Sequence, residues 1–188
     1  MKKITLSIIL VIMITTAFKP DGSLVGKQFP EMVCEDYNGK KIILPAEEKD
    51  KCTLLGIAFS NDAEKELQLW INPICNKFAP KEDGKKVDPF AVNAGYDINL
   101  FFIPKFSFLN KVLSKSSKEK IKADTDKDLY PYLLFYEGNQ TLRKDLDVDK
   151  KDIPYILLLD KTGKIIYAAS GKYDDKKLNK LTDAIDKN

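Results

Sequence analysis

The 188-residue chain contains no histidine. That absence removes the commonest general base and the commonest metal ligand together, and with them Ser-His-Asp and Cys-His catalysis and imidazole-bound zinc. Cysteine is scarce: Cys34, Cys52 and Cys75 stand far apart with no C-x-x-C pair, so neither a local dithiol nor a zinc site is encoded. An odd number of cysteines leaves at least one thiol unpaired within the chain. There is no glycine-rich phosphate loop, no repeating period and no low-complexity stretch. No metal and no cofactor is expected.

A strong charge of either sign is also lacking. Removal of Lys2 and Lys3 with the leader described next leaves 29 basic against 28 acidic residues, so the sequence predicts no nucleic-acid partner. The one long apolar run lies at the start. After Met1, Lys2 and Lys3, residues 4–14 are apolar apart from Thr5 and Ser7, and Thr15, Thr16 and Ala17 follow. The run is shorter than the roughly 20 residues a membrane span needs, and residues 1–18 read as a secretory signal peptide cut near Ala17, an uncleaved anchor being the weaker alternative. No cysteine stands at the cut for lipid attachment. The expected mature chain, residues 19–188, is an exported single domain, periplasmic or extracellular, with no stable membrane span.

The chain is organised around residues 54–67. An apolar run from Leu54 to Phe59 is broken by Ser60, Asn61 and Asp62 and passes into an amphipathic pattern at Leu67, Ile71, Ile74, Cys75 and Phe78. This predicts a buried strand entering a helix, with Asn61 as cap and Glu64 three residues on. Pro73 is expected to kink or end that helix. Trp70 and Cys75 read as packed side chains. Cys34 and Cys52 are the candidate pair for a disulfide, should residues 33–37 pack beside the strand that begins near Thr53.

Before this unit, Tyr37-Asn38-Gly39 between extended stretches predicts a hairpin, and residues 47–51 a solvated charged run. After it come a long polar loop over residues 79–95, a strand over 97–104, a helix over 106–121 and an extended run over 132–136. Asn139-Gln140-Thr141 fits the glycosylation pattern of a eukaryotic protein. Residues 153–167 read as two strands joined by Asp160-Lys161-Thr162-Gly163, and residues 174–187 as a helix with Leu178, Leu181 and Ile185 inward.

The register of the strand-to-helix corner, the opening Gly26-Lys27-Gln28-Phe29-Pro30 and the closing Ile153-Pro154 and Asp160-Lys161-Thr162-Gly163-Lys164 resemble exported thioredoxin-like and peroxiredoxin-like proteins, in that family's element order over residues 25–187. The resemblance implies an α/β, thioredoxin-like fold: a central mixed sheet flanked by helices, with an N-terminal hairpin extension. It also implies a cis Ile153-Pro154 bond. Where the family carries aromatic-Cys-x-x-Cys, this chain has Phe59 and then Ser60, Asn61, Asp62 and Ala63. Ser60 stands in the place of the attacking cysteine and Ala63 in that of the resolving one.

Two functions follow as expectations. The first is a redox-inactive binding or assembly module whose contact corner is Ser60, Asn61, Asp62, Ala63, Ile153 and Pro154, its partner another envelope or secreted protein. A likeness to mitochondrial ATP synthase assembly factors of similar fold, which also lack the paired thiols, points the same way. The second is a thiol oxidoreductase or peroxidase using a displaced Cys34, Cys52 or Cys75. Cys52 would sit at the wrong end of the strand, and Cys75 about three helical turns late.

Overall fold

A computed structural model describes residues 24–45, 50–79, 96–104, 126–136 and 141–188. The leader, most of the charged run before the central strand, residues 80–95, the helix read over 106–121, and Asn139 and Gln140 lie outside the described residues.

In chain order the elements are β1 (Met32–Asp36), β2 (Lys41–Leu44), β3 (Cys52–Ile57), α1 (Asn61–Phe78), β4 (Ile98–Ile103), a 3-10 stretch (Lys127–Tyr132), β5 (Leu134–Tyr136), the single-turn α2 (Leu142–Asp145), β6 (Tyr155–Leu159), β7 (Ile165–Ser170) and α3 (Asp175–Ile185). They form a four-stranded sheet, β4-β3-β6-β7, and a three-stranded sheet, β2-β1-β5. A parallel bridge between Phe102 and Leu133 links the two. β3 pairs parallel with β4 and antiparallel with β6, so the central sheet is mixed, as the thioredoxin-like resemblance implies.

β3 is buried along its whole length, and its side chains feed two clusters by strict alternation. Leu55 and Ile57 join Met32, Cys34, Ile42, Leu44 and Leu134, so the N-terminal hairpin lies over one face of the central sheet. Cys52, Leu54 and Ala58 join Leu67, Trp70, Ile74 and Phe78 of α1 and Leu178, Leu181 and Ile185 of α3 on the other. Gly56 leaves room for the side chains of Phe102 in β4 and Leu67 in α1 to pack against β3. A Cβ there would lie 2.6 Å from Phe102 Cδ1 and 3.0 Å from Leu67 Cδ1.

Three expectations are corrected. α1 does not end at Pro73 but continues to Phe78. Proline in a helix interior costs about 3 kcal/mol, whereas burying Ile74 and Phe78 beyond it returns about 1.5–3 kcal/mol each. Cys34 and Cys52 are free thiols. They occupy separate clusters on opposite faces of the central sheet, an arrangement no disulfide spans. The Ile153-Pro154 bond is trans, and the cis bond among the described residues is Leu44-Pro45. Trans is the lower-energy isomer, and the Pro154 carbonyl accepts from Gly171 N–H at 2.9 Å, which carries the β6–β7 ladder straight into the proline.

Both turns expected from sequence form. Asp36 Oδ1 accepts from the N–H groups of Asn38 and Lys40 at 2.8 and 2.7 Å, and Gly39 takes φ +88° to close the β1–β2 hairpin. Asp160 Oδ1 accepts from Thr162 N–H, Thr162 Oγ1 and Lys164 N–H at 2.8, 2.7 and 3.0 Å to close the β6–β7 hairpin. Among the described residues no helix is long and apolar enough to cross a membrane.

Candidate functional site

The sheet register assembles the corner. Ile57, the last residue of β3, pairs with Tyr155, the first of β6, and with Ile103, the last of β4. Ala58 N–H donates to Ile103 carbonyl at 3.0 Å. Residues following β3 therefore leave the sheet beside those that enter β6, and the ring of Phe59 meets that of Tyr155 edge-on at 5.9 Å.

Ser60, not Asn61, caps α1. Its backbone is extended (φ −149°, ψ 167°), and its Oγ accepts from Ala63 N–H at 3.1 Å. Asn61 is already the first helical residue. The Ser60 carbonyl accepts from Glu64 N–H at 2.9 Å, so both oxygens of this residue serve the first turn. Asp62 pairs with Lys65 at 3.1 Å, both well exposed, a contact of small energetic weight.

The six candidate residues differ in what they present. Asn61 and Asp62 are exposed, Ile153 is half-buried against the hairpin-side cluster, and Ser60, Ala63 and Pro154 are buried. Ala63 is wholly enclosed and packs with Leu67 and Trp70 beneath the sheet. The surface of the corner is thus the amide of Asn61, the carboxylate of Asp62 and the flank of Ile153.

None of the thiols lies at this corner. Cys34 is in β1, where burial pushes its pKa up to about 12. Cys75, in the fourth turn of α1, is likewise pushed up to about 12 by burial. Cys52 opens β3, and its pKa is raised, by burial first, with the charge of Lys161 lowering it and that of Asp160 adding to the rise. A raised pKa favours the neutral thiol over the thiolate at each of the three. Among the described residues no group of three or more Cys, Asp or Glu side chains is arranged to hold a metal ion.

Sequence reasoning missed the tie between helix and proline. Trp70 Nε1 donates to the Gly171 carbonyl at 2.9 Å, and Gly171 N–H donates to Pro154. The signal was available: a tryptophan on a buried face requires a partner for its N–H.

This arrangement is that of known folds. The thioredoxin domain of a thiol-disulfide oxidoreductase from Bacteroides vulgatus superposes with TM-score 0.56 at 15% identity, over 86% of this chain and 97% of that one. The C-terminal domain of a protein assigned as a thiol-disulfide oxidoreductase from Bacteroides thetaiotaomicron gives 0.55 at 22%, over 87% and 97%. The reduced 2-Cys peroxiredoxin of Plasmodium vivax gives 0.52 at 12%, over 87% and 82%. The thioredoxin-like fold expected from sequence is therefore the fold of this chain. No curated protein matches the sequence. A family model described as ATP10 protein matches residues 15–187.

Proposed function

The chain belongs to the ATP10 protein family, and on that premise we propose that it is an exported, non-catalytic binding or assembly module that holds part of another envelope or secreted protein at the corner of Ser60, Asn61, Asp62, Ala63, Ile153 and Pro154. The observation that carries this reading is the use made of the corner's own groups. The Ser60 hydroxyl is spent on capping α1 and Ala63 is enclosed, while the side chains of Asn61 and Asp62 are exposed and that of Ile153 is half-exposed beside them.

Export rests on the leader read in residues 1–18. The likeness to ATP synthase assembly factors makes a component of that assembly the first partner to seek. Against an oxidoreductase with a displaced cysteine stand the burial of Cys34 and Cys52 and the raised pKa of all three thiols.

The test is a photo-reactive side chain introduced at Asp62 in the full chain expressed in its native envelope. The expected result is a discrete cross-linked protein, lost when Ile153→Arg is added. No product, or the same product from a probe at exposed Lys180 on α3, overturns the reading.

A further inference from the structure

The two ends of the strand order are treated differently. At β7 the outward backbone groups are largely consumed. Ile165 N–H donates to Lys27 carbonyl at 2.9 Å, Gly26 N–H donates to Ile165 carbonyl at 2.8 Å, and the Lys177 ammonium caps the Ser170 carbonyl at 2.9 Å. Only the Ala168 region lies between these stops, too short a stretch to pair with another strand. This is how folded proteins close an edge.

At β2 nothing comparable is present among the described residues. Asp36 N–H donates to Lys40 carbonyl. In the register that pairs Cys34 with Ile42 and Met32 with Leu44, bonded pairs alternate, so Ile42 and Leu44 spend their backbone groups on β1. Lys41 and Ile43 therefore direct their N–H and C=O groups away from the sheet. Their side chains share its outer face, opposite that of Ile42 and Leu44, which enter the core. Ile43 is half-buried beside its cross-strand neighbour Val33, one of the few large apolar side chains left exposed, at 48%. Lys41 is exposed and stands across from Glu35.

From this we infer a second interaction surface, independent of the corner: the β2 edge adds an extended segment of a partner protein as a further strand. The segment carries, two residues apart on one face, an acidic side chain opposite Lys41 and an apolar one opposite Ile43 and Val33. The backbone supplies affinity and the two side chains supply selection. A second copy of this chain is the poorer occupant, because a two-fold pairing of β2 strands about Ile42 makes the two Lys41 ammonium groups diagonal neighbours.

The test is amide hydrogen exchange on the full mature chain with two synthetic peptides, Thr-Asp-Thr-Val-Thr and its reversal. One of them is expected to slow exchange at Lys41 and Ile43 by about tenfold at saturation, with no change at Ala168. Replacing the Asp of that peptide by Lys weakens binding about fivefold, and Lys41→Glu reverses the preference. Ile43→Pro abolishes binding while leaving the β1 pairing intact, because the lost N–H faces outward. Unchanged exchange at Lys41 and Ile43 with both peptides overturns the inference, as does undiminished binding by Ile43→Pro. Protection that grows with protein concentration in the absence of peptide also overturns it, and assigns the edge to a second copy. None of these outcomes bears on cross-linking from Asp62, so the two surfaces fail or stand separately.

Discussion

The indole N–H of Trp70 donates to the carbonyl of Gly171 across 2.9 Å, and the N–H of that same glycine donates to Pro154. One residue thus ties the third turn of α1 to the segment that forms the other side of the corner. Trp70→Phe keeps most of the packing but leaves the Gly171 carbonyl unpaired. The expected loss is about 2–4 kcal/mol in urea unfolding, accompanied by a lower cross-linking yield from Asp62. Ile74→Val, in the same cluster, is expected to cost about 0.5–1.5 kcal/mol and leave the yield unchanged. Equal yields from both variants would show that the tie does not position the corner.

Ser60→Ala removes the acceptor for Ala63 N–H and is expected to cost about 1 kcal/mol. Ser60→Cys places sulfur where Oγ now accepts that N–H, at the positive end of α1. Its thiol is expected to titrate below the free-cysteine value of about 8.5, read from the pH dependence of alkylation by mass spectrometry. A value at or above that of free cysteine would mean that the corner lacks the anion-stabilising character of its fold.

How much of this could be read from the chain divides along physical lines. The apolar run from Leu54 to Phe59, followed by helical spacing at Leu67, Ile71, Ile74 and Phe78, located the central unit because burial imposes a period on sequence. The Asn38-Gly39 and Thr162-Gly163 turns were legible because their positive φ angles favour glycine. The sequence does not separate Ser60 from Asn61 as the cap because the two are comparable capping residues, and only the backbone decides which of them is extended. The continuation of α1 past Pro73 is not legible because the local penalty of proline is visible in sequence while the core contacts of Ile74 and Phe78 that outweigh it are not. Cys34 and Cys52 looked pairable because spacing says nothing of which face of a sheet a strand residue occupies.

Asn99 lies wholly buried in β4, its Nδ2 donating to Thr53 Oγ1 at 3.4 Å and its Oδ1 without a partner. Removing one member strands the other. Thr53→Val is expected to destabilise by about 1–3 kcal/mol, whereas Thr53→Val with Asn99→Leu is expected to unfold within about 1 kcal/mol of the natural chain or to be more stable. A double variant less stable than Thr53→Val alone would contradict this.

Burial raises the pKa of Asp160, but hydrogen bonds from Thr162 Oγ1, Lys164 N–H and Thr162 N–H, with the charge of Lys164, outweigh it and hold the carboxyl below its ordinary value. A depressed folded pKa contributes stability above the unfolded value of about 3.9, and that contribution is lost as pH falls through the folded one. The melting temperature is therefore expected to fall on acidification through this range, and less steeply in Asp160→Asn. Identical acid profiles would remove Asp160 as a contributor.

Binding rather than thiol chemistry is the function we propose for this protein. It is tested most directly by alkylating the native protein without reductant and counting modified cysteines by mass spectrometry, before and after mild peroxide and again after denaturation. Slow alkylation of Cys34, Cys52 and Cys75 in the native protein, full alkylation of all three once unfolded, and no change with peroxide are expected. A single thiol that reacts rapidly in the folded chain and is consumed by peroxide would contradict that function and identify the residue of an oxidoreductase.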